Sequence, residues 1–207
     1  MRRISESTIK RLSKYYRSLE HLINQGVDTV SSDQLAEMDG VTSAQVRKDL
    51  SFFGTFGKRG LGYNTRTLRD QIGEILGLHR RWNVIIVGAG NIGRALAAYQ
   101  EFQKRGFDIR FILDKDPRKI GTTIHGVPVH DISRAAELIP KENIEIAIIA
   151  VPADSAQAVA DTLVEAGIKA ILNFAPRSLK VPEGVHIKNE NMAIEIESLS
   201  YHLNKNQ

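Results

Sequence analysis

The chain has 207 residues, enough for two small domains, and is 42 % hydrophobic and 25 % charged, an ordinary globular balance. It contains no cysteine, which excludes disulfides, thiol catalysis, iron–sulfur clusters and thiolate zinc sites together, and no apolar run approaches the ~20 residues of a membrane helix. The formal net charge of +4 is unevenly placed: residues 1–82 carry 14 Lys/Arg against 9 Asp/Glu, residues 83–207 carry 14 against 15, so the excess lies in the first 82, where a polyanion would be met.

In chain order, residues 5–25 predict a helix. Ser5 is placed as its N-cap, Ile9, Leu12, Tyr16, Leu19 and Leu22 or Ile23 recur near a 3.6-residue period, and Gly26 ends it. Val27–Val30 is a connector or edge strand. Ser31 and Gln34 have capping-box spacing and open a second helix with Leu35, Ala36 and Met38 as its apolar side. After the break Asp39-Gly40-Val41, Thr42 and Gln45 form a second box. The helix they open runs to Phe53, with Val46, Leu50 and Phe53 buried and Ser43, Gln45, Arg47, Lys48 and Ser51 on the opposite face. Two short helices around a glycine-bearing turn form the helix-turn-helix pattern, and the second carries side chains suited to bases and phosphates.

Residues 53–63 are glycine-rich, and Gly57 and Gly60 bracket Lys58-Arg59. This predicts the hairpin wing of a winged helix, with Lys58, Arg59 and Gly60 at a DNA backbone or narrow minor groove. A small helical bundle with a solvated basic loop is the alternative. A short helix, Thr67–Leu76, ends at Gly77 and is expected to bridge to a second domain that begins near residue 81.

Asn83–Val87 is a continuous apolar run, as in a strand buried on both faces, and it feeds into Gly88-Ala89-Gly90-Asn91-Ile92-Gly93. A helix with Ile92, Ala95, Leu96, Tyr99 and Phe102 follows, then a strand, Ile109–Leu113, ending at Asp114. In this setting Gly88 permits a tight turn, Gly90 lets the backbone approach a pyrophosphate, and Gly93 lets the helix pack on the sheet. Asp114, 21 residues after Gly93, is placed for the adenosine ribose, with Lys115 beside it. A carboxylate there prefers NAD(H) to NADP(H), though Arg118 and Lys119 lie near. Further strands are expected at Val127–Val129, Glu145–Val151, Ala170–Phe174 and Val185–Ile187. They bring Ala150, Val151, Pro152, Asn173 and Phe174 to the carboxyl edge, where such sheets bind ligands. An amphipathic helix spans 154–166, and a last one, residues 192–203, has an apolar stripe that folds back or docks on a partner subunit.

The expected fold class is therefore α/β: a winged helix-turn-helix domain over 1–80, a Rossmann-like doubly wound parallel sheet over 81–187, and a C-terminal dimerisation helix over 188–207. The polar N-terminus shows no signal peptide and the six histidines have no metal-ligand spacing, so a cytoplasmic protein without metal or membrane is expected. No triad, P-loop or substrate domain is visible, which argues against an enzyme.

Taken together, Thr42–Ser51, Gly57–Tyr63 and Val87–Leu96 resemble the Rex family of redox-sensing transcriptional repressors, over nearly the whole chain. The resemblance implies a homodimer on a palindromic double-stranded operator, released when NADH replaces NAD⁺, with the C-terminal helix swapped between subunits. It also implies a switch linking a helix-1 arginine, a tyrosine and an aspartate. Arg17 and Tyr99 match the first two; Asn191 stands at the aspartate position, and Met192 at that of an aromatic lining the nicotinamide pocket. Asn191 can hydrogen-bond but lacks the charge-assisted contribution. Tyr99, Phe174 and Met192 are expected to line the nicotinamide region, with core packing the alternative for Tyr99 and Met192. A nicotinamide-dependent oxidoreductase and a regulator sensing another nucleotide, such as a CoA species, are the rival functions.

Overall fold

The computed structural model describes residues 4–56 and 61–204, which fall into two compact units that divide between Arg80 and Arg81. In the first unit, α1 (Glu6–Asn24) starts at Ser5, whose hydroxyl accepts from the Thr8 N–H. Its buried line is Thr8, Leu12, Tyr15 and Leu19, so Tyr15 rather than the expected Tyr16 is fully buried, and Ile9 is exposed. The reason is polar: the Tyr15 hydroxyl donates to Asp49 at 2.9 Å. A two-residue strand, β1 (Thr29–Val30), precedes α2 (Ser32–Asp39), whose capping box is complete in both directions. Met38, expected inside, is exposed.

The second helix of the motif, α3 (Ser43–Ser51), is capped by Thr42. The return half of its expected box is missing, because the Gln45 amide donates instead to Asp49, one turn on, at 2.8 Å. Its buried face is Val46, Asp49 and Leu50, and the helix stops at Ser51, short of Phe53. β2 (Tyr63–Asn64) pairs antiparallel with β1. The wing tip, with the expected DNA contacts Lys58, Arg59 and Gly60, lies outside the described residues. α4 (Thr65–Ile75) is capped by Asn64 and buries Leu68 and Ile72 in one core with Leu12, Leu19, Leu35, Val46 and Leu50. It is thus a core helix of the first unit, not the bridge expected from sequence.

The second unit runs β3 (Trp82–Val87), α5 (Asn91–Ala97), α6 (Glu101–Lys104), β4 (Phe107–Asp114), β5 (Thr123–Ile124) and β6 (Val127–Asp131). After a 3-10 turn at Ile132–Arg134 come α7 (Ala135–Lys141), β7 (Ile146–Ile149), α8 (Ala153–Glu165), β8 (Ala170–Asn173), β9 (His186–Asn189) and α9 (Met192–Asn204). The sheet order is β5-β6-β4-β3-β7-β8-β9, parallel except for the edge pair β5–β6. β3 is buried on both faces. Ile85 and Val87 join the layer of Leu138, Val159 and Leu163, while Val84 and Ile86 join that of Leu96 and Phe102. Strand order reverses between β3 and β7, which is where doubly wound sheets bind ligands.

Three elements depart from expectation. The single helix expected after the glycine turn is two, α5 and α6, separated at Ala98–Gln100. β5 adds an unforeseen edge strand, closed onto β6 by His125-Gly126, both at positive φ, the conformation of a two-residue hairpin turn. α7 was also unforeseen; Pro140 sits inside it.

Candidate functional site

The turn after β3 is shaped by side chains that are not there. Gly88 has φ +104°, and a Cβ on it would overlap the Ala150 carbonyl at the end of β7. A Cβ on Gly93 would overlap the Gly88 carbonyl oxygen, so α5 packs on the turn only because position 93 has no side chain. Gly90, the N-cap of α5, behaves differently: a Cβ there meets no protein atom within 4 Å. The space over Gly90 is open, as backbone approach by a phosphate requires.

Asp114 ends β4 beside this turn and is buried. Its Oδ2 accepts from the Ala89 N–H at 2.6 Å and from the Lys119 ammonium at 3.2 Å, and its Oδ1 accepts from the Asp116 N–H at 2.8 Å. Burial alone would raise its pKa. The two N–H groups and the ammonium outweigh that and hold the carboxyl below its ordinary value, so it is ionised at neutral pH. The same carboxylate therefore ties down the glycine turn and presents negative charge beside it.

Around these groups lies a cleft of about 730 Å³, a size suited to a nucleotide-scale ligand. Gly88, Gly90, Asp114, Lys115, Ala150, Val151 and Pro152, all expected from the sequence, line it. So do Lys119, Ser133, Ser155 and Thr162, of which only Lys119 had been noticed. The missed signal is the spacing of Ser155, Ala158 and Thr162, which puts small and polar groups on one face of α8. Ala89 is buried and acts through its N–H; Asn91 and Ile92 are exposed at the start of α5.

Ala89, Asn91, Ile92 and Gly93 shape the turn without lining this cleft, and four other expected ligand residues do not line it either. Tyr99 lies at the α5–α6 break, edge-on to Phe102 at 5.1 Å, and lines a separate hollow with Arg110 and His125. The Asn173 side chain is fully buried and already bonded to the Arg177 carbonyl (2.7 Å), Asn189 (2.8 Å) and the Ala175 N–H (3.0 Å), so it pins the loop rather than facing a ligand. Phe174 packs against the core layer of Ile86 and Ile148. Met192, at the start of α9, is exposed. Asn191 caps α9 by accepting from the Ala193 N–H at 3.0 Å, and it borders a small hollow with Arg177 and Asn189. No residue of α9 is buried: Met192, Ile194, Ile196, Leu199 and Leu203 all face outward.

In the first unit, α3 is fastened from behind by one carboxylate. Asp49, with no exposed surface, accepts from Arg11 Nε (2.6 Å) and Nη2 (2.8 Å), the Tyr15 hydroxyl (2.9 Å) and Gln45 (2.8 Å). Burial opposes its charge, but Arg11, Gln45 and Tyr15 together hold its pKa down. The sequence reading missed Asp49, and it placed Gln45 among the outward residues although its amide is engaged here. Arg47, Lys48 and Ser51 are exposed as expected and Ser43 is half-buried. Arg47 donates to Ser32 at 2.8 Å and Ser51 to the Lys48 carbonyl at 2.7 Å. Arg17, on α1, is exposed. Among the described residues no cluster of His, Asp and Glu could hold a metal, and no helix is long and apolar enough to cross a membrane.

A family model described as a CoA binding domain matches residues 79–177, and one described as a putative DNA-binding protein N-terminus matches residues 3–51. The redox-sensing transcriptional repressor Rex of Syntrophomonas wolfei is 49 % identical over 201 residues, covering 97 % of this chain and 96 % of that protein. The protein of the same name from Carboxydothermus hydrogenoformans is 49 % identical over 203 residues, with 98 % of each covered. Among solved structures, RSP in complex with β-NAD⁺ and operator DNA matches with a TM-score of 0.94 at 43 % identity, covering 100 % of this chain and 95 % of that one. RSP in complex with β-NADH matches at 0.88 and 42 % identity, covering 98 % and 95 %.

Proposed function

This chain belongs to the Rex family of redox-sensing transcriptional repressors, and from that premise we propose how its two units divide the work. The chain is a repressor, not an enzyme: it binds operator DNA when NADH is low and leaves it when NADH binds. The observation that carries this reading is full-length similarity to a structure holding both β-NAD⁺ and operator DNA, together with a cleft of nucleotide-scale size in this chain lined by Gly88, Gly90 and Asp114.

In the second unit, Gly88, Gly90 and the first turn of α5 receive the pyrophosphate. The N–H groups at that helix terminus and the bare backbone of Gly90 supply the contact. Asp114 accepts from the adenosine ribose and excludes a 2′-phosphate, with Lys115 and Lys119 flanking it; Ala150, Val151 and Pro152 form the opposite wall. When bound, the dinucleotide supplies its redox state, a planar cation when oxidised and a neutral ring when reduced. An apolar surround favours the neutral form, and Tyr99, Phe174 and Met192 provide one when a second subunit completes the site. The outward apolar face of α9 is the surface that a second copy covers, making the homodimer. Arg17, Tyr99 and Asn191 are the groups through which the switch acts, with Asn191 contributing a neutral hydrogen bond where the family has a charged one.

In the first unit, Ser43, Arg47, Lys48 and Ser51 meet the major groove or its phosphates, and Lys58, Arg59 and Gly60 the flanking backbone. The dinucleotide can change DNA affinity only by binding two dimer shapes unequally; a near-complete switch needs about 5.5 kcal/mol of difference. Such shapes would differ in whether two recognition helices match grooves ~34 Å apart. A repressor that acts on operator DNA works in the cytoplasm, and we propose that location for this chain.

Titration of a palindromic operator at fixed total dinucleotide tests this. Affinity should fall as NADH replaces NAD⁺, and NADPH should have much less effect; an affinity indifferent to the ratio rejects the reading.

A further inference from the structure

The arrangement of α3 raises the question of which of its side chains can read a base. At about 100° per residue, Ala44, Lys48 and Ser51 fall within an arc of about 60° opposite the buried Val46, Asp49 and Leu50. Gln45, the residue type best suited to adenine, lies about 90° from that buried face, one turn before Asp49. Its amide donates to the Asp49 carboxylate at 2.8 Å. An ionised carboxylate only accepts, so the Nε2 side must face it. That bond is charge-assisted, and Arg11 and Tyr15 keep Asp49 fixed and charged. The Ser51 hydroxyl is turned back onto the Lys48 carbonyl.

We propose that α3 reads sequence through the Ala44 methyl against a thymine C5-methyl, with Lys48 beside it, while Gln45 is withheld from the bases by Asp49 and serves as a positioning residue. Ala44 is exposed, lies in the first turn of α3, and stands four residues from Lys48 on the same face. Small apolar side chains at such a place recognise thymine by its methyl group, the one feature separating thymine from uracil in the groove. Gln45 acts through Asp49 on the seating of α3 against α1, so its loss weakens binding to every sequence alike.

This deepens the operator-binding function proposed above and rests on it. The probe is a palindromic duplex selected by the wild-type dimer from random palindromes, with each thymine of a half-site replaced in turn by uracil. For the wild type, one position should lose affinity roughly fourfold per half-site, the size expected for withdrawing one buried methyl-sized group. In Ala44→Gly that position should become indifferent to uracil; Ala44→Ser, milder for the helix, should reduce the effect. Gln45→Ala should lower affinity by a similar factor on every duplex and leave the base-preference profile unchanged. A uracil profile identical in wild type and both Ala44 variants overturns the proposal. So does a Gln45→Ala variant that loses preference at a single base pair. Loss of NADH response with the thymine effect intact would instead count against the redox function and leave this inference standing.

Discussion

The glycine turn of the second unit and the helix α3 of the first are built by opposite means. The turn depends on atoms being absent: Gly88 and Gly93 are positions where one more carbon would collide with backbone. The helix depends on atoms being present: Asp49, Arg11, Tyr15 and Gln45 form a buried polar knot between α1 and α3. A binding surface made of backbone tolerates no addition, and one made of side chains on a pinned helix tolerates no subtraction. The two should fail differently under mutation.

The sharpest break comes from Gly93→Ala. The new Cβ must displace the Gly88 carbonyl, and backbone cannot rotate away as a side chain can. The expected loss is about 3 kcal/mol or more of stability in the second unit, with NADH binding abolished by calorimetry. A variant that unfolds at the wild-type temperature and binds NADH normally would refute the account of the turn.

Asp49→Ala comes next. It removes the acceptor for four side chains, Thr8, Arg11, Tyr15 and Gln45, but Arg11 retains partial exposure and can turn to water. The penalty should therefore fall below the 3–5 kcal/mol of a fully buried pair, at about 2 kcal/mol, read in the melting of the first unit. The knot also has a pH signature. Asp49 is held below 3.8, its ordinary value, by Arg11, Gln45 and Tyr15 against the opposing effect of burial. Asp114 is likewise held low by the Asp116 and Ala89 N–H groups and Lys119, again against burial. A depressed carboxyl contributes stability that is complete above its unfolded value and lost as pH falls through its folded one. Tm should therefore be steady down to about pH 4 and drop below it, and the drop should be shallower in Asp49→Ala. A Tm that rises on acidification would contradict the sign.

These two regions also differ in how far the sequence alone disclosed them. A backbone site announces itself, because Gly88, Gly90 and Gly93 are rare in a helix start and the run Val84–Val87 marks a strand buried on both faces. A side-chain knot does not. Asp49 on a helix reads as a solvent-facing residue, and nothing in the period distinguishes Tyr15 from Tyr16 until a buried partner for the hydroxyl is known. The break at Ala98–Gln100 carries no glycine or proline, and the two-residue β5 is too short for any alternation to show. Asn173 was recognised as belonging to the carboxyl edge, but its role in pinning Arg177 and Asn189 depends on residues 4 and 16 positions away. What was legible is what local chemistry dictates; what was not is set by contacts distant in sequence.

Gly90→Ala sharpens the comparison because it separates the two functions of a glycine within one motif. The added carbon meets no protein atom, so the fold should be unaffected. It would, however, stand where a pyrophosphate comes closest. A loss of about tenfold in NADH affinity at unchanged Tm is expected, equivalent to about 1.4 kcal/mol. Equal loss of Tm in Gly90→Ala and Gly93→Ala would mean that position 90 serves packing alone.

The smallest effect tests the subtractive side. Arg47 is exposed on α3 and its guanidinium donates to Ser32 at the start of α2. A phosphate approaching the junction of these helices would find a cation already oriented, so the Ser32 bond aims Arg47 rather than consuming it. If each protomer's Arg47 neutralises one phosphate, Arg47→Ala should flatten the plot of log affinity against log salt by about 0.9 per contact. Base preference should stay as in the wild type, because a phosphate contact carries no sequence information. Arg47 lies about 40° outside the arc of Ala44, Lys48 and Ser51 in the direction away from Gln45, which suits the groove wall better than its floor. A wild-type salt slope combined with altered base preference would move Arg47 from the phosphate to a base edge, and the division of labour along α3 would have to be redrawn.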